Sequence, residues 1–275
     1  MQIVNSIKEL QEVRAKLSGS VGFVPTMGAL HSGHISLIKE SKKNSDFTIV
    51  SIFVNPTQFL AGEDLDKYPK KDEADKKVCE LCSVDILFMP DINTMYEKDE
   101  VLIKAPKLKS YYLEGVNRPS HFDGVLQIVL KLFNLTKPTN AYFGRKDAQQ
   151  VTLIKQMVKN LFLDIDIIDM PTVREDDGLA LSSRNVYLSK EERTKALLIS
   201  KSLREATNLI SKGELEIKII KSAMLKILDD SAIELEYVEI LNREFIYKDK
   251  LEVKNSLILI ACRVGSTRLI DNIWV

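Results

Sequence analysis

The chain has 275 residues, of which 39 are basic and 39 acidic, for a formal net charge of zero. A surface built to grip nucleic acid carries a basic excess or a basic face, so this balance argues against a large polyanionic partner. Its 45% hydrophobic and 28% charged residues are those of an ordinary globular protein, and no apolar run reaches the roughly 20 residues of a membrane helix.

The opening stretch, "MQIVNSIKELQEVRAKL", is charged throughout and lacks the apolar segment of a secretory leader. Cys79, Cys82 and Cys262 make no even disulfide framework, and a chain of this length needs none. A cytoplasmic protein of one large domain or two smaller ones is expected. "VGFVPTM" (21–27) reads as a buried strand and "GHISLIKESKKNS" (33–45) as a helix. A β-branched strand, "FTIVSIFVN" (47–55), comes next, then a helix at 72–83 and a short strand, "DILFMP" (85–90). The strongest helix is "FDGVLQIVLKLFNLT" (122–136), with Asp123 near its start and Pro138 just past its end. "AYFG" (141–144), a helix over 147–161 and "DIDIIDMPTV" (164–173) continue the alternation. Strands alternating with helices predict right-handed βαβ units: a Rossmann-like parallel sheet with helices on both faces.

Near residue 175 the character changes. "REDDGLALSSRN" (174–185) is a polar linker, followed by a long helix over 189–213 with Ser189 and Glu192 in capping-box spacing. A second helix (216–230) and three antiparallel strands complete the chain. The expected division is an α/β domain over 1–175 and a smaller α+β lid domain over 176–275.

Two of only three histidines, His31 and His34, fall three positions apart in "GALHSGHISL" (28–37), between the first predicted strand and its helix. Ligands on a doubly wound sheet bind at the carboxyl ends of its strands, and a helix N-terminus favours an anion. Two imidazoles on one side of that first turn suit a phosphate chain and the charge that develops on it. Two ordinary surface histidines are the bland alternative. A metal is another: "CELC" (79–82) with His31 and His34 would make a Cys2His2 set, in a zinc-binding or interaction module. Against zinc, Val78, Leu81 and Cys82 lie on one apolar helix face, and buried cysteine is a common small core residue. In "YFGRKDAQQ" (142–150), Lys146 and Asp147 fall at another strand end, with Gln150 one turn later. Lysine suits a phosphate as a point charge and glutamine suits hydroxyl or carboxylate recognition. "LALSSRN" (179–185) offers two hydroxyls and a guanidinium in a row, on a linker able to close over phosphates.

Six stretches together resemble one family: "PTMGALHSGH" (25–34), "VSIFVNPTQF" (50–59), "EDLDKYP" (63–69), "EGVNRPSHFDGV" (114–125), "FGRKDAQQ" (143–150) and "DGLALSSRN" (177–185). They occur in the order found in pantothenate synthetases (pantoate–β-alanine ligases). The HxGH and SSR elements relate that family to other nucleotidyltransferases, including class I aminoacyl-tRNA synthetases. The resemblance implies ATP-dependent condensation of (R)-pantoate with β-alanine through pantoyl adenylate, releasing pyrophosphate and AMP. It implies Mg²⁺ bound mainly through the ATP phosphates, no metal site of the protein's own, and a homodimer formed through the N-terminal domain. By the same resemblance, His34, His31, Lys146 and Arg184 are catalytic. ATP is held by Met27, Gly28, Ala29, Leu30, His31, Ser32, Gly33, His34, Gly144, Arg145, Lys146, Asp147, Val173, Leu181, Ser182, Ser183 and Arg184. Pantoate or β-alanine is held by Pro25, Asn55, Gln58 and Gln150, with Tyr68, Arg118 and His121 nearby. Three positions depart from the family pattern: Arg145 replaces a usual acidic residue, Ser120 a common glycine, and Leu181 a frequent methionine. Another adenylyl or cytidylyl transferase is the enzymatic alternative; a tRNA-charging enzyme is disfavoured by the neutral charge and the lack of an anticodon-binding extension.

Overall fold

A computed structural model describes all 275 residues. The chain divides into two units, Met1–Gly144 with Gln149–Pro171 and Arg145–Ala148 with Thr172–Val275. The first begins with β1 (Gln2–Val4) and α1 (Ile7–Arg14) and continues through β2 (Val21–Thr26), α2 (Ser32–Asn44), β3 (Phe47–Ile52), α3 (Asp72–Leu81) and β4 (Ile86–Phe88). Three short helices follow, α4 (Ile92–Met95), α5 (Lys107–Ser110) and α6 (Glu114–Asn117). Then come α7 (His121–Thr136), β5 (Asn140–Gly144), α8 (Ala148–Asn160) and β6 (Asp166–Met170).

The strands form one parallel sheet in the order β1-β4-β3-β2-β5-β6. Side chains alternate across it, as a strand's period of two demands. Phe23 and Ile49 point into a core shared with Leu126 and Phe133 of α7 and Ile154 of α8. Their neighbours Val24 and Val50 point the other way, onto Leu37 and Ile38 of α2 and Cys79 of α3. Central strands buried on both faces explain the near-continuous apolar runs at 21–24 and 47–52. Helix α7 stops where Lys137 turns into the left-handed region at φ 42°, because Pro138 disfavours a helical residue before it.

In the second unit, α9 (Lys190–Ser211) and α10 (Ile217–Leu228) cover a three-stranded antiparallel sheet of β7 (Ile233–Asn242), β8 (Ser256–Val264) and β9 (Thr267–Trp274). Ile199, Leu203, Ile220 and Met224 pack on Val238, Ile258, Ile260 and Cys262. The expected capping box is present, with Ser189 and Glu192 satisfying each other's backbone N–H.

The division at 175/176 expected from the sequence lies instead at 171/172, and residues 145–148 group with the second unit. Two side-chain contacts account for this. Arg174 makes a bidentate ion pair with buried Asp271 at 2.6 and 2.9 Å. Asn272 Nδ2 donates to the carbonyls of Arg145 and Lys146 at 3.0 and 2.7 Å.

Candidate active site

The chain steps from β2 outward through β3 and β4 on one side and through β5 to β6 on the other. The order therefore reverses between β2 and β5, where the carboxyl ends of a doubly wound sheet leave a crevice. Pro25, Met27 and the 28–34 loop lie at the end of β2, Asn55 and Gln58 follow β3, and Gly144 ends β5. Gln150 lies in the first turn of α8, half-buried.

His31 is the N-cap of α2 and His34 its third helical residue. His31 Nδ1 accepts the Gly33 N–H at 3.1 Å, and His34 Nδ1 accepts the His31 N–H at 3.3 Å. Capping boxes are usually built from Ser or Thr and Glu or Gln; here two imidazoles do the same work. The rings lie 4.1 Å apart. Because each Nδ1 accepts, each neutral ring carries its proton on Nε2. The helix start expected to offer bare amides to an anion thus has two of them capped by its own imidazoles. The loop before α2 is held from α3, where Asp75 accepts the N–H groups of Ala29 and Leu30, each at 2.8 Å.

After β3, Asn55 is almost fully buried and donates through Nδ2 to Gln58 Oε1 at 3.1 Å and to the Gly124 carbonyl at 3.1 Å. Its Oδ1 accepts from Tyr96 at 2.8 Å and from Thr57 at 3.0 Å. Gln58 Nε2 in turn donates to the Met27 sulfur at 3.0 Å, so the β2 and β3 ends are tied together. Asn55 therefore acts on Gln58 rather than facing outward. Gly124 of α7 permits this, since a Cβ there would come within 2.3 Å of the Thr57 carbonyl oxygen.

Arg118 and His121 converge on the same turn. Arg118 forks onto Glu63 at 2.7 and 2.8 Å, and its Nη2 also donates to the Gln58 carbonyl at 3.2 Å. Burial raises the Glu63 carboxyl, but Arg118 outweighs it and holds the group below its ordinary range. Tyr68, buried, meets Phe59 edge-on at 5.9 Å. Arg118, His121 and Glu63 so fasten the 58–63 segment to the start of α7.

In the second unit, the turn Arg145–Asp147 is fixed by Asn272 and by Trp274, whose indole N–H points at the Arg145 carbonyl at 3.4 Å. The Arg145 guanidinium lies over the Trp274 ring, 5.1 Å from its centroid, a cation–π position that accounts for arginine here. The Leu181 N–H bonds the Val173 carbonyl at 3.0 Å, and Arg174 and Ala180 form a bridge. Ser182 caps the turn Ser183–Tyr187 by accepting the Arg184 N–H at 3.2 Å. Arg193 braces this hairpin through Glu175 and Asp177. The polar linker is thus a braced turn that presents Ser182, Ser183 and Arg184.

No three His, Cys, Asp or Glu side chains gather to hold a metal ion. Cys79 lies in the core beneath α2, and burial, then Asp75, pushes its thiol up to about 12, away from the thiolate that zinc requires. Asp75 and Tyr96 carry no sequence signal, since the bonds that place them at the site cross 41 to 46 residues; Glu63 opens the "EDLDKYP" stretch, but its pairing with Arg118 crosses 55. The Asn55–Gln58, His31–His34 and Arg118–His121 contacts, each spanning three positions, are local.

The family model described as pantoate-beta-alanine ligase matches residues 2–274. A pantothenate synthetase of Aliarcobacter butzleri (strain RM4018) is 60% identical over 275 residues, covering 100% of both chains. Among solved structures, the pantothenate synthetase of Thermus thermophilus has a TM-score of 0.95 at 37% identity, covering 100% of this chain and 99% of that one. The pantoate-beta-alanine ligase of Francisella tularensis, complexed with beta-gamma ATP and beta-alanine, has a TM-score of 0.83 at 38% identity, covering 100% and 97%.

Proposed function

The chain belongs to the pantoate–β-alanine ligase family, and from that premise we propose how its residues divide the work. It is an AMP-forming ligase that condenses pantoate with β-alanine at the expense of ATP, through an adenylate intermediate. A carboxylate resists attack by an amine because its oxygens are poor leaving groups. Transfer of the adenylyl group converts one oxygen into part of a good leaving group, AMP.

In the first step a pantoate carboxylate oxygen attacks the α-phosphorus and pyrophosphate departs. The Nε2 protons of His31 and His34 meet the negative charge that grows on the phosphate oxygens, and Lys146 and Arg184 supply cations. Donors placed where charge develops stabilise the transition state more than the ground state. Met27 to His34, Gly144 to Asp147, Val173 and Leu181 to Arg184 hold the nucleotide. Gln58 and Gln150, helped by Pro25, hold pantoate; Asn55 sets the Gln58 amide, and Arg118 and His121 set its backbone. In the second step the β-alanine amine attacks the acyl carbon and AMP leaves. The observation that carries this reading is the imidazole pair at the β2 end, with both Nδ1 atoms committed to backbone N–H groups.

Mg²⁺ would be held mainly by the ATP phosphates and water, as this ion prefers. There it would neutralise phosphate charge. A homodimer through the first unit is supported by the exposed apolar side chains Val101, Leu102, Leu108, Tyr111 and Val116. A cytoplasmic location belongs to the same proposal, for a chain of this size that holds its core without disulfides. The test is β-alanine-dependent release of AMP from ATP and pantoate, with pantothenate identified by mass; AMP release indifferent to pantoate would reject the reading.

A further inference from the structure

The loop between β2 and α2 has an unusual backbone. Gly28 has φ of +86° and Ala29 of +50°, two consecutive left-handed residues, one of them not glycine. The Gly28 N–H turns back to Thr26 Oγ1 at 3.2 Å, and the next two N–H groups are both taken by one side chain. Asp75 of α3, only 2% exposed, accepts the Ala29 N–H through Oδ2 and the Leu30 N–H through Oδ1, both at 2.8 Å. Gly28 faces the same carboxylate: a Cβ on it would lie 3.1 Å from Asp75 Oδ2 and 3.1 Å from Ile52 Cγ2. A buried carboxylate is costly unless hydrogen-bonded, and these two amides are what hold it. The next two bonds in the chain, to His34 Nδ1 and His31 Nδ1, continue directly from this loop.

We propose that Asp75 is a positioning residue for adenylation: its carboxylate is a built-in anion that occupies the Ala29 and Leu30 amides, fixes the entry into α2 and so aims the His31–His34 pair. The inference rests on the phosphate role given above to those histidines. It changes the work of Ala29 and Leu30. Their N–H groups serve the protein's own carboxylate, and phosphate recognition in this loop falls to the imidazoles. It also gives a reason for the left-handed Ala29, whose strain is held in place by two charge-assisted hydrogen bonds.

Two measurements test it. In the unaltered protein, the Ala29 and Leu30 amides should exchange slowly with deuterium before any nucleotide is added, and a non-hydrolysable ATP analogue should change their protection little. Rapid exchange that slows only with the analogue would show that they bind phosphate and would overturn the proposal. In Asp75→Asn, one acceptor oxygen is replaced by an NH2 group facing a peptide N–H. Pyrophosphate release in a single turnover, normalised to folded protein, should fall by about 10–100-fold, the scale of a small misplacement of catalytic groups. Attack of β-alanine on preformed pantoyl adenylate should stay within about threefold of the unaltered protein on the same reasoning. Equal loss in both half-reactions, or none in either, would reduce Asp75 to a packing residue. An unaltered protein that makes no pantothenate would instead reject the functional reading itself.

Discussion

Arg118 places Nη1 3.1 Å from Nε2 of His121, and both side chains reach the same acceptor, the carbonyl of Gln58. Arg118 can only donate, so His121 Nε2 accepts and its proton sits on Nδ1, which donates to Gln58 at 2.7 Å. A second proton on this ring would have to face a guanidinium. Burial first, and Arg118 next, lower the His121 pKa from 6.5 to about 4. In the unfolded chain the imidazole regains its ordinary value, so between pH 6.5 and about 4 the unfolded state binds more protons. Stability must therefore rise with pH across that window and be lost as pH falls through it. The full loss is about 3 kcal/mol, since each tenfold difference in proton affinity is worth about 1.4 kcal/mol. Urea unfolding from pH 7 down to 4.5 should show this slope, and His121→Asn should flatten it. An unchanged slope in that variant would assign the acid sensitivity to other groups.

Ser120, the residue before α7, has φ of +66°, in the left-handed region. This explains why glycine is common at this position of the family pattern, which Ser120 departs from. A side chain in that region costs about 1 kcal/mol, and glycine escapes the cost while gaining some freedom in the unfolded chain. Ser120→Gly should therefore stabilise the protein by about 0.5 kcal/mol, the difference between those effects. Thermal unfolding reads this directly, and a lower Tm would mean that the serine makes a compensating contact.

The sheet and the second unit are legible in the sequence because their signals are periodic and local. Val21–Thr26 and Phe47–Ile52 are apolar runs of strand length, and α9 announces itself through Ser189 and Glu192. Strand β1 has three residues, too few for any period, and α1, with eight, escapes notice although Ser6 and Glu9 form a capping box. In the site, the histidine pair is legible as a motif, but its bonding is not. A capping box of two imidazoles has no counterpart among the usual Ser, Thr, Asp and Asn caps. Asp75, by contrast, looks like one more solvated charge in "DEADKK". Only the fold turns it inward, onto amides 45 and 46 positions away.

Cys79 and Cys82 have zinc-like spacing, yet Cys79 is fully buried against Leu37, Ile38 and Leu87. Replacing both with alanine should leave pantothenate formation intact. Removal of the buried sulfur should cost about 1 kcal/mol through a small cavity. Metal analysis of the purified protein should find no stoichiometric zinc; zinc that vanishes in the double variant would reinstate the metal reading.

Gln58 is held by Asn55 on one side and reaches the Met27 sulfur on the other, which leaves its amide poised at the β3 end. Pantoate has a carboxylate and hydroxyls but no cation, so a neutral amide can select it by hydrogen bonds. Sites of this kind discriminate strongly against analogues that leave the protein's polar groups unpaired. Gln58→Ala should raise the pantoate KM about tenfold, the loss of about one hydrogen bond, while ATP binding without pantoate stays unchanged. Equal weakening of ATP binding would move Gln58 into the nucleotide site.

His34→Ala separates the two half-reactions. In adenylation, negative charge spreads over the α-phosphate and the departing pyrophosphate, and on the role proposed above the His34 Nε2–H donates to it. Loss of one such donor typically slows the step by about 10²–10³-fold. Attack of β-alanine on preformed pantoyl adenylate takes place at the acyl carbon and should be far less affected. The substitution also deletes the acceptor for the His31 N–H. That lost cap should lower stability by about 1 kcal/mol, a cost that must be kept apart from the catalytic one. His34→Asn makes the distinction, because its side-chain oxygen can still cap the His31 N–H while the ring Nε2 proton is gone. It should recover the Tm but not the adenylation rate. If His34→Asn restores both, the imidazole serves only to cap its helix, and the phosphate role assigned to it is wrong.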